Sequence, residues 1–392
     1  MKTLHMPKIL LPVDGTDMHK WAVNACDQFT SDYNYWQEVE KTVSGYPSTF
    51  NLIFPEIYLK DKPEERIKKI NSTMQEYLDS GVFKCVEGGF ILVERTTESG
   101  TRTGILLAID LEDYSFIQSD NAVIRSTEAT VPERIPPRVE IRKDAPVELP
   151  HVMLLYNDEQ NCVLNGVERG KVLYDFDLQM NGGHVKGTFI QNSLKVAQNL
   201  LSLKDKSGML FAVGDGNHSL AAAKTCWENL KKTLSEEEIK THPARYALCE
   251  AVNIYDPALT FEPIHRLIKC ENAHKFSSEF KTFGDKKAYI VVNGKKSEIP
   301  FSSNIPQGIR ELDDCISRFL KANGGEVDYI HGEAELIDFT QDESCVGILL
   351  PAIAKTDFFN LIVEGGNLPR KTFSMGEGNE KRYYIEAKKI RV

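Results

Sequence analysis

The residues best suited to chemistry form one short run, Gly214-Asp215-Gly216-Asn217-His218-Ser219. It follows the apolar residues 209–213, and the residues after it are apolar at intervals of three and four, so the sequence predicts a strand, a turn and a helix. The first N–H groups of a helix have no partner within the helix and lie at the positive end of its dipole. Glycines let the backbone approach an anion closely. The run therefore predicts a phosphate site or, in the simpler interpretation, a tight turn capped by Asp215 or Asn217.

Two side chains of this run could take part in a reaction. His218 lies in the first helical turn, where an imidazole can donate a hydrogen bond to a phosphate oxygen. Asp215 could hold a metal ion or take a proton from a hydroxyl nucleophile. The spacing is neither that of the P-loop nor that of the G-x-G-x-x-G dinucleotide fingerprint. The run by itself leaves both interpretations open.

The elements around the run alternate between strand-like and helix-like patterns, which indicates a mixed α/β fold. Residues 63–80 predict a helix, and residues 89–95 and 102–111 predict a β-hairpin. Residues 131–150 contain five prolines and predict a loop or crossing segment without regular structure. Residues 295–307 are a polar break, and a final strand is expected near residues 381–390.

Composition narrows the class of partner. The 392 residues are 41% hydrophobic and 27% charged, which is typical of a globular protein of one large domain or two smaller ones. The net charge of −10 argues against a nucleic-acid partner and favours a small molecule or a protein. No stretch predicts a membrane span or a signal peptide, so we expect a cytoplasmic protein. The eight cysteines are too far apart for zinc-ribbon or thioredoxin spacing and are expected to be reduced thiols.

Residues 213–223 resemble the Asp-Gly-His-His-Arg-x-x-x-Ala motif of a widespread bacterial and archaeal family of unknown function. That family is related to the free serine kinases, and these proteins resemble the ParB/sulfiredoxin fold. Further segments resemble its motifs in the same order. They are Arg125-Ser126-Thr127-Glu128 (its Arg-His-Glu), residues 132–141 with Arg138 (its Asp-Arg-Leu stretch), Leu154-Leu155-Tyr156-Asn157-Asp158 (its Leu-Leu-Tyr-x-Asp), Pro263-Ile264-His265-Arg266-Leu267 (its Pro-Thr-His-Arg-Leu), and residues 365–372 with Lys371 (its Gly-x-x-Met-Pro-x-Lys-Ser/Thr).

The resemblance implies a fold and a division into domains. Residues 1–270 would form a ParB/sulfiredoxin-like nucleotide-binding core that carries the inserted hairpin and the proline-rich crossing segment. Residues 271–392 would form a C-terminal α/β extension packed on that core.

The resemblance also implies roles for particular residues. Phosphate would bind at Gly214, Gly216, Asn217, His218 and Ser219, and the catalytic groups would be Asp215, Glu128 and His265. The family's arginine in the turn is Ser219 here, and a serine brings no positive charge. Arg266, Arg138 or Lys371 would therefore supply that charge. The donor would be ATP or ADP with Mg²⁺, and no residues are assigned as metal ligands.

The resemblance implies that the protein is a nucleotide-dependent small-molecule kinase that acts on free serine or a similar hydroxylated metabolite. The alternative is a nucleotide-binding regulator or slow NTPase without a second substrate. The expected partner is a small-molecule substrate, and neither nucleic acid nor a membrane is expected to bind. Both a monomer and a homodimer are compatible with the sequence.

Overall fold

A computed structural model describes residues 2–26, 29, 32–59, 62–86, 88–117, 121–130, 132–280 and 284–392. The fold is mixed α/β, as the alternating patterns predicted. The chain divides into two compact units, and the first consists of Met1–Leu259 together with Glu377–Val392. The second is Thr260–Gly376. The domain division of the sequence analysis, 1–270 and 271–392, stays a prediction.

Strands and helices are numbered in chain order. The strands of the first unit are β1 (Leu4–His5), β2 (Ile9–Pro12), β3 (Phe83–Val86), β4 (Ile91–Thr97), β5 (Gly100–Asp110), β6 (Tyr114–Ser115), β7 (Ile124–Ser126), β8 (Val147–Glu148), β9 (Met153–Tyr156), β10 (Arg169–Asp177), β11 (His184–Ile190), β12 (Phe211–Asp215), β13 (Tyr246–Asn253) and β21 (Lys388–Lys389). Its helices are α1 (Met18–Trp21), α2 (Tyr33–Val43), α3 (Pro63–Asp79), α4 (Ile135–Arg142), α5 (Cys162–Asn165), α6 (Ser193–Ser202), α7 (Asn217–Lys231) and α8 (Glu236–Thr241).

A ten-stranded mixed sheet organises the first unit. Its order is β10-β11-β4-β5-β13-β9-β12-β7-β6, and β1 pairs with β5. The pairs β12–β7, β13–β9 and β6–β7 are parallel, and the other pairs of this sheet are antiparallel. The end of β12 lies between the end of the parallel strand β7 and the start of the antiparallel strand β9, which brings loops from three parts of the chain to one edge.

Both faces of this sheet are covered. Along β5, Ile105, Leu107 and Ile109 pack into one buried cluster with residues of α6 and α7. Leu106 packs into the opposite cluster, which includes Tyr383 from the C-terminal segment. A strand that is buried on both faces needs apolar residues at nearly every position, and this explains the continuous apolar runs in the sequence.

The second unit is built on an antiparallel sheet. Its strands are β14 (Glu262–Pro263), β15 (His265–Lys269), β16 (Lys286–Val292), β17 (Lys295–Phe301), β18 (Glu326–Ile330), β19 (Cys345–Leu349) and β20 (Phe373–Ser374). Its helices are α9 (Phe276–Glu279), α10 (Ile305–Asn323), α11 (Glu333–Phe339) and α12 (Lys355–Gly365). The five-stranded sheet has the order β17-β16-β19-β15-β18, and β14 pairs with β20. In the described residues, we find no helix that combines the length and the apolar composition needed to cross a bilayer.

Several local predictions are confirmed and others are wrong. The hairpin is β4–β5, and the helix predicted over residues 63–80 is α3. The proline-rich segment is not irregular throughout, because it contains α4. Two of its prolines, Pro136 and Pro137, lie in the first turn of α4, where the missing N–H of proline costs no intrahelical hydrogen bond.

The C-terminal predictions need two further corrections. The polar break at residues 295–307 forms strand β17 and the start of α10. β17 lies at the edge of its sheet, where exposed charged residues such as Lys295 and Lys296 are tolerated. The final strand expected near residues 381–390 is reduced to β21, which pairs with β8. The rest of that segment is extended but makes only isolated bridges, such as Val23 with Tyr384.

Candidate active site at the β12–α7 turn

The turn between β12 and α7 is held in a conformation that requires glycine. Gly216 has φ +82 and ψ 26, in the left-handed region. A Cβ atom built on Gly216 would lie 3.0 Å from Cγ2 and 3.1 Å from Cα of Val152. The loop before β9 therefore passes directly against the turn, and only glycine fits there without strain or displacement of backbone.

The side chain of Asn217 ties the turn to the end of β7. Its Oδ1 accepts hydrogen bonds from the Ser126 hydroxyl (2.6 Å) and the Thr127 N–H (3.2 Å), and its Nδ2 donates to Thr127 Oγ1 (3.2 Å). The Thr127 hydroxyl in turn donates to the carbonyl of Val213 (2.6 Å). Asn217 is buried, so these contacts position the first turn of α7, and its contribution to an anion site would come through its backbone N–H.

Asp215 is paired with a lysine from the C-terminal segment. Its Oδ2 lies 3.3 Å from Lys381 Nζ, and its Oδ1 accepts from the N–H of Gly216 at 2.8 Å. Burial on its own raises the pKa of the Asp215 carboxyl. The positive charge of Lys381, the charge that His151 carries in its protonated form, and the hydrogen bonds from Lys381 and Gly216 outweigh that effect, so the pKa is lowered overall. Asp215 is therefore a carboxylate at neutral pH, with a positive charge fixed beside it.

Ser219, which replaces the family's arginine, contacts a histidine. Its Oγ lies 2.9 Å from Nε2 of His151, and the other ring nitrogen, Nδ1, lies 3.0 Å from the hydroxyl of Tyr384. Ser219 and His151 are half-buried, whereas Tyr384 is buried. Burial raises the pKa of the Tyr384 hydroxyl, which is therefore protonated at neutral pH. The three side chains form a continuous hydrogen-bonded chain that begins in the first turn of α7.

The C-terminal segment is held in place by a buried ionic network next to Lys381 and Tyr384. The guanidinium of Arg382 donates to Glu250 Oε2 and Glu386 Oε2, both at 2.7 Å, and to the carbonyl of Pro150 at 2.6 Å. Glu386 also accepts from the Tyr174 hydroxyl at 2.5 Å. Because Pro150 directly precedes His151, this network positions both the histidine and the segment that carries Lys381.

Two more of the predicted residues belong to the same unit as the turn. β7 and β12 are parallel with Ser126 beside Val213, and Glu128 follows the last residue of β7 by two positions. Glu128 is half-buried at the edge where both strands end. Arg138, on α4, pairs with Glu56 and donates to the carbonyl of Arg134, and its charge also acts on Tyr384.

Arg266 is fully buried in the second unit, and all five of its N–H donors are used. Its Nε and one terminal nitrogen bind the carboxylate of Asp313 at 2.8 and 3.0 Å. The remaining hydrogens go to the carbonyls of Ile264 (2.8 Å), Lys371 (2.7 Å) and Arg370 (3.4 Å). A phosphate could bind Arg266 only by displacing one of these partners.

His265 is also buried in the second unit, and Nδ1 accepts from the N–H of Leu350 at 3.1 Å. Burial lowers its pKa to about 4, so the ring is neutral at physiological pH. Lys371 is half-buried with φ +54, and its carbonyl accepts from Arg266. The contacts of His265 and Arg266 hold β15 in its sheet and fix the segment around Lys371.

Three residues at the turn were missed by the sequence analysis: His151, Lys381 and Tyr384. His151 and Lys381 contact the turn directly, and Tyr384 contacts His151. All three are distant from the turn along the chain, and none lies in a spacing pattern that links it to the turn. His151 lies three residues before the segment 154–158 that resembles the family's Leu-Leu-Tyr-x-Asp motif. This proximity is the sequence feature that could have drawn attention to His151. Among the described residues, no group of three or more His, Cys, Asp or Glu side chains is arranged to hold a metal ion.

A family model described as "Protein of unknown function (DUF1015)" matches residues 10–389. The chain belongs to the DUF1015 family. This confirms the family-level expectation drawn from the ordered motifs. No protein of curated function matches this DUF1015 chain in sequence.

The comparison with solved structures finds similarity to the following three proteins, among others. A free serine kinase in complex with AMP has 10% identity and a TM-score of 0.41, and the match covers 73% of this chain and 92% of the kinase. SbnI from Staphylococcus aureus, with a C-terminal truncation, has 7% identity and a TM-score of 0.38 over 69% and 82% of the two chains. A conserved hypothetical protein from Pyrococcus furiosus has 10% identity and a TM-score of 0.37 over 73% and 95%.

Proposed function

We propose that this protein binds the phosphates of ATP or ADP at the β12–α7 turn and transfers a phosphoryl group to a small hydroxylated metabolite such as free serine. The proposal rests mainly on the position of one lysine. Lys381 Nζ lies 3.3 Å from Oδ2 of Asp215, just before helix α7, and the first turn of α7 contains no acidic residue. The first N–H groups of α7 and this ammonium together suit an anion. The lysine supplies the positive charge that Ser219 cannot.

Phosphoryl transfer depends mostly on positioning and on stabilising charge, and the turn offers both. The N–H groups of residues 217–219 would bind phosphate oxygens, with His218 as a side-chain donor in the same turn. Lys381 would lie against the phosphates on one side, and Arg138 would add positive potential from α4. Gly216 lets this turn lie directly against Val152, because any side chain at this position would meet Val152.

The two carboxylates at this edge are proposed to take different roles. The lowered pKa of Asp215 makes it a poor base at neutral pH, because general bases work best with a pKa near the working pH. Its constant charge suits Mg²⁺, which binds one or two carboxylates together with substrate phosphates and neutralises their charge. Glu128, on the neighbouring strand end, is then the residue that would accept the proton of the substrate hydroxyl.

Calorimetric titration with ATP and ADP, with and without Mg²⁺, tests the binding step. Lys381→Met should weaken nucleotide binding by about 1.5–3 kcal/mol, the value of a hydrogen bond to a charged group, or roughly 10- to 150-fold in Kd. Lys389→Met is the matched control, because Lys389 is an exposed lysine of the same segment. The control should bind nucleotide as the wild type does.

A kinase assay tests the transfer step. The protein is incubated with ATP or ADP and a panel of hydroxylated amino acids, and phosphorylated products are identified by mass spectrometry. Binding with a phosphorylated product supports the proposal. Nucleotide binding without product on any acceptor favours the alternative, a nucleotide-binding regulator or slow NTPase, and absence of nucleotide binding contradicts both.

A further inference from the structure

The hydrogen-bonded chain Ser219–His151–Tyr384 has the parts of an activated nucleophile. Such a site needs a hydroxyl within hydrogen-bond reach of a base, and a third group that orients the base. Here the hydroxyl-to-imidazole distance is 2.9 Å and the imidazole-to-phenol distance is 3.0 Å. In the tautomer with hydrogen on Nδ1, His151 donates to the Tyr384 oxygen, and Nε2 accepts from the Ser219 hydroxyl.

We propose that Ser219 is a phosphoryl acceptor, activated by His151, which takes the terminal phosphoryl group of a nucleotide and holds it as phosphoserine. This inference rests on nucleotide binding at the β12–α7 turn and adds a covalent step to it. Tyr384 acts as a positioning residue for His151.

The place of Ser219 on the helix brings its hydroxyl toward the proposed phosphate. It is the third residue of α7, after Asn217 and His218. Helical Cα–Cβ bonds tilt toward the N-terminus, so a side chain of the first turn points to the end where an anion binds. The same N–H groups and helix dipole would stabilise the charge that develops on a phosphoryl group during attack. Ser219 and His151 are both half-buried, so solvent reaches them.

The step balances without any further reactant. Ser219 Oγ attacks the terminal phosphorus, and the Oγ–P bond forms as the bond from that phosphorus to the bridging oxygen breaks. The bridging oxygen keeps the electron pair and leaves with the shortened nucleotide. The hydroxyl proton moves to Nε2 of His151, which releases it to solvent.

Ser126, another serine near the turn, does not have this arrangement. Ser126 also lies beside α7, but it is buried, and its hydroxyl contacts the Glu128 carbonyl and Asn217 Oδ1 rather than a base. It therefore serves as an internal comparison: a reaction that depends on proximity alone would label both serines, whereas a reaction that depends on His151 labels Ser219.

The test is incubation of the full chain with ATP and Mg²⁺, followed by intact-mass measurement and peptide mapping. One phosphoryl group should appear, located on Ser219. Ser219→Ala should lose it completely, Ser219→Thr should keep it, and His151→Asn should slow labelling by about 10²- to 10⁴-fold, the range for a general base. Tyr384→Phe should slow labelling without changing nucleotide affinity.

A second arm separates this inference from the proposed function. A fluorophosphonate reacts with an activated serine hydroxyl, releasing fluoride, and needs no nucleotide site. The protein could bind no nucleotide and still react with the fluorophosphonate at Ser219 in a way that depends on His151. This result would contradict the proposed function but would show that Ser219 is activated by His151. Nucleotide binding without phosphoserine at Ser219 would overturn the inference and leave the proposed function standing, whether or not the fluorophosphonate reacts. Equal labelling of wild type and His151→Asn would also overturn it.

Discussion

Replacing Gly216 by alanine should destabilise the protein in two ways. The first is the unfavourable backbone conformation of a residue with a Cβ, and the second is the contact of that Cβ with Val152. At φ +82 any residue with a Cβ pays about 1–2 kcal/mol for the left-handed conformation. The new Cβ would also lie 3.1 Å from the Val152 Cα, a backbone atom that no side-chain rotation can move away. We expect a further cost of about 1–3 kcal/mol from this overpacking.

Gly45 provides the matched control. It has φ +79, and a Cβ built there would meet nothing within 4 Å. Gly45→Ala should therefore lose only the conformational part, about 1–2 kcal/mol, and should bind ATP and ADP as the wild type does. Gly216→Ala should be less stable than Gly45→Ala and should lose nucleotide binding, because displacement of the turn moves the N–H groups of α7.

Urea denaturation measures the stability of both variants, and calorimetry measures their affinity for ADP. Equal destabilisation of the two variants would show that Val152 does not constrain the turn. Wild-type nucleotide affinity in Gly216→Ala would refute the assignment of phosphate binding to this turn.

Three more results are expected. Arg382→Met should destabilise the protein by about 3–5 kcal/mol in urea denaturation, because it removes the guanidinium that pairs with two buried carboxylates, whereas Arg391→Met, an exposed arginine, should cost about 0.5 kcal/mol or less. Wild-type stability should fall by up to about 3 kcal/mol as the pH drops from 6.5 toward 4, because the pKa of His265 is lowered to about 4 and the unfolded chain takes up the proton first. His265→Asn should flatten that pH dependence, and an unchanged slope would contradict the assignment. Arg266→Lys should lower stability, because the two-point contact with Asp313 is lost, but it should leave the affinity for ADP unchanged. Weaker ADP binding by the folded variant would show that Arg266 takes part in the nucleotide site.

The sequence predicted the turn because all of its determinants are local. An apolar strand, two glycines and an amphipathic helix follow one another within residues 209–234, and each element forms for reasons visible in its own composition. The same holds for the β4–β5 hairpin and for α3. The proline-rich segment was mispredicted because the position of a proline within a helix matters more than the number of prolines: two in a first turn are compatible with α4.

The partners of the turn could not be predicted in this way. His151 is 68 positions from Ser219 in the sequence, and Tyr384 is 233 positions from His151. Their approach depends on the order of strands in the sheet and on the Arg382 network that fixes the C-terminal segment, and neither leaves a local pattern. Arg266 shows the opposite case: its type suits phosphate, but in the fold its donors are all used by Asp313 and backbone carbonyls.

The most direct test of the central claim is a crystal structure of the protein with ADP and Mg²⁺. We predict density for the phosphates against the N–H groups of residues 217–219, with Lys381 Nζ in contact with a phosphate oxygen and Asp215 on the metal ion. Phosphates bound at another place in the chain, or a β12–α7 turn without ligand at saturating ADP, would contradict the account.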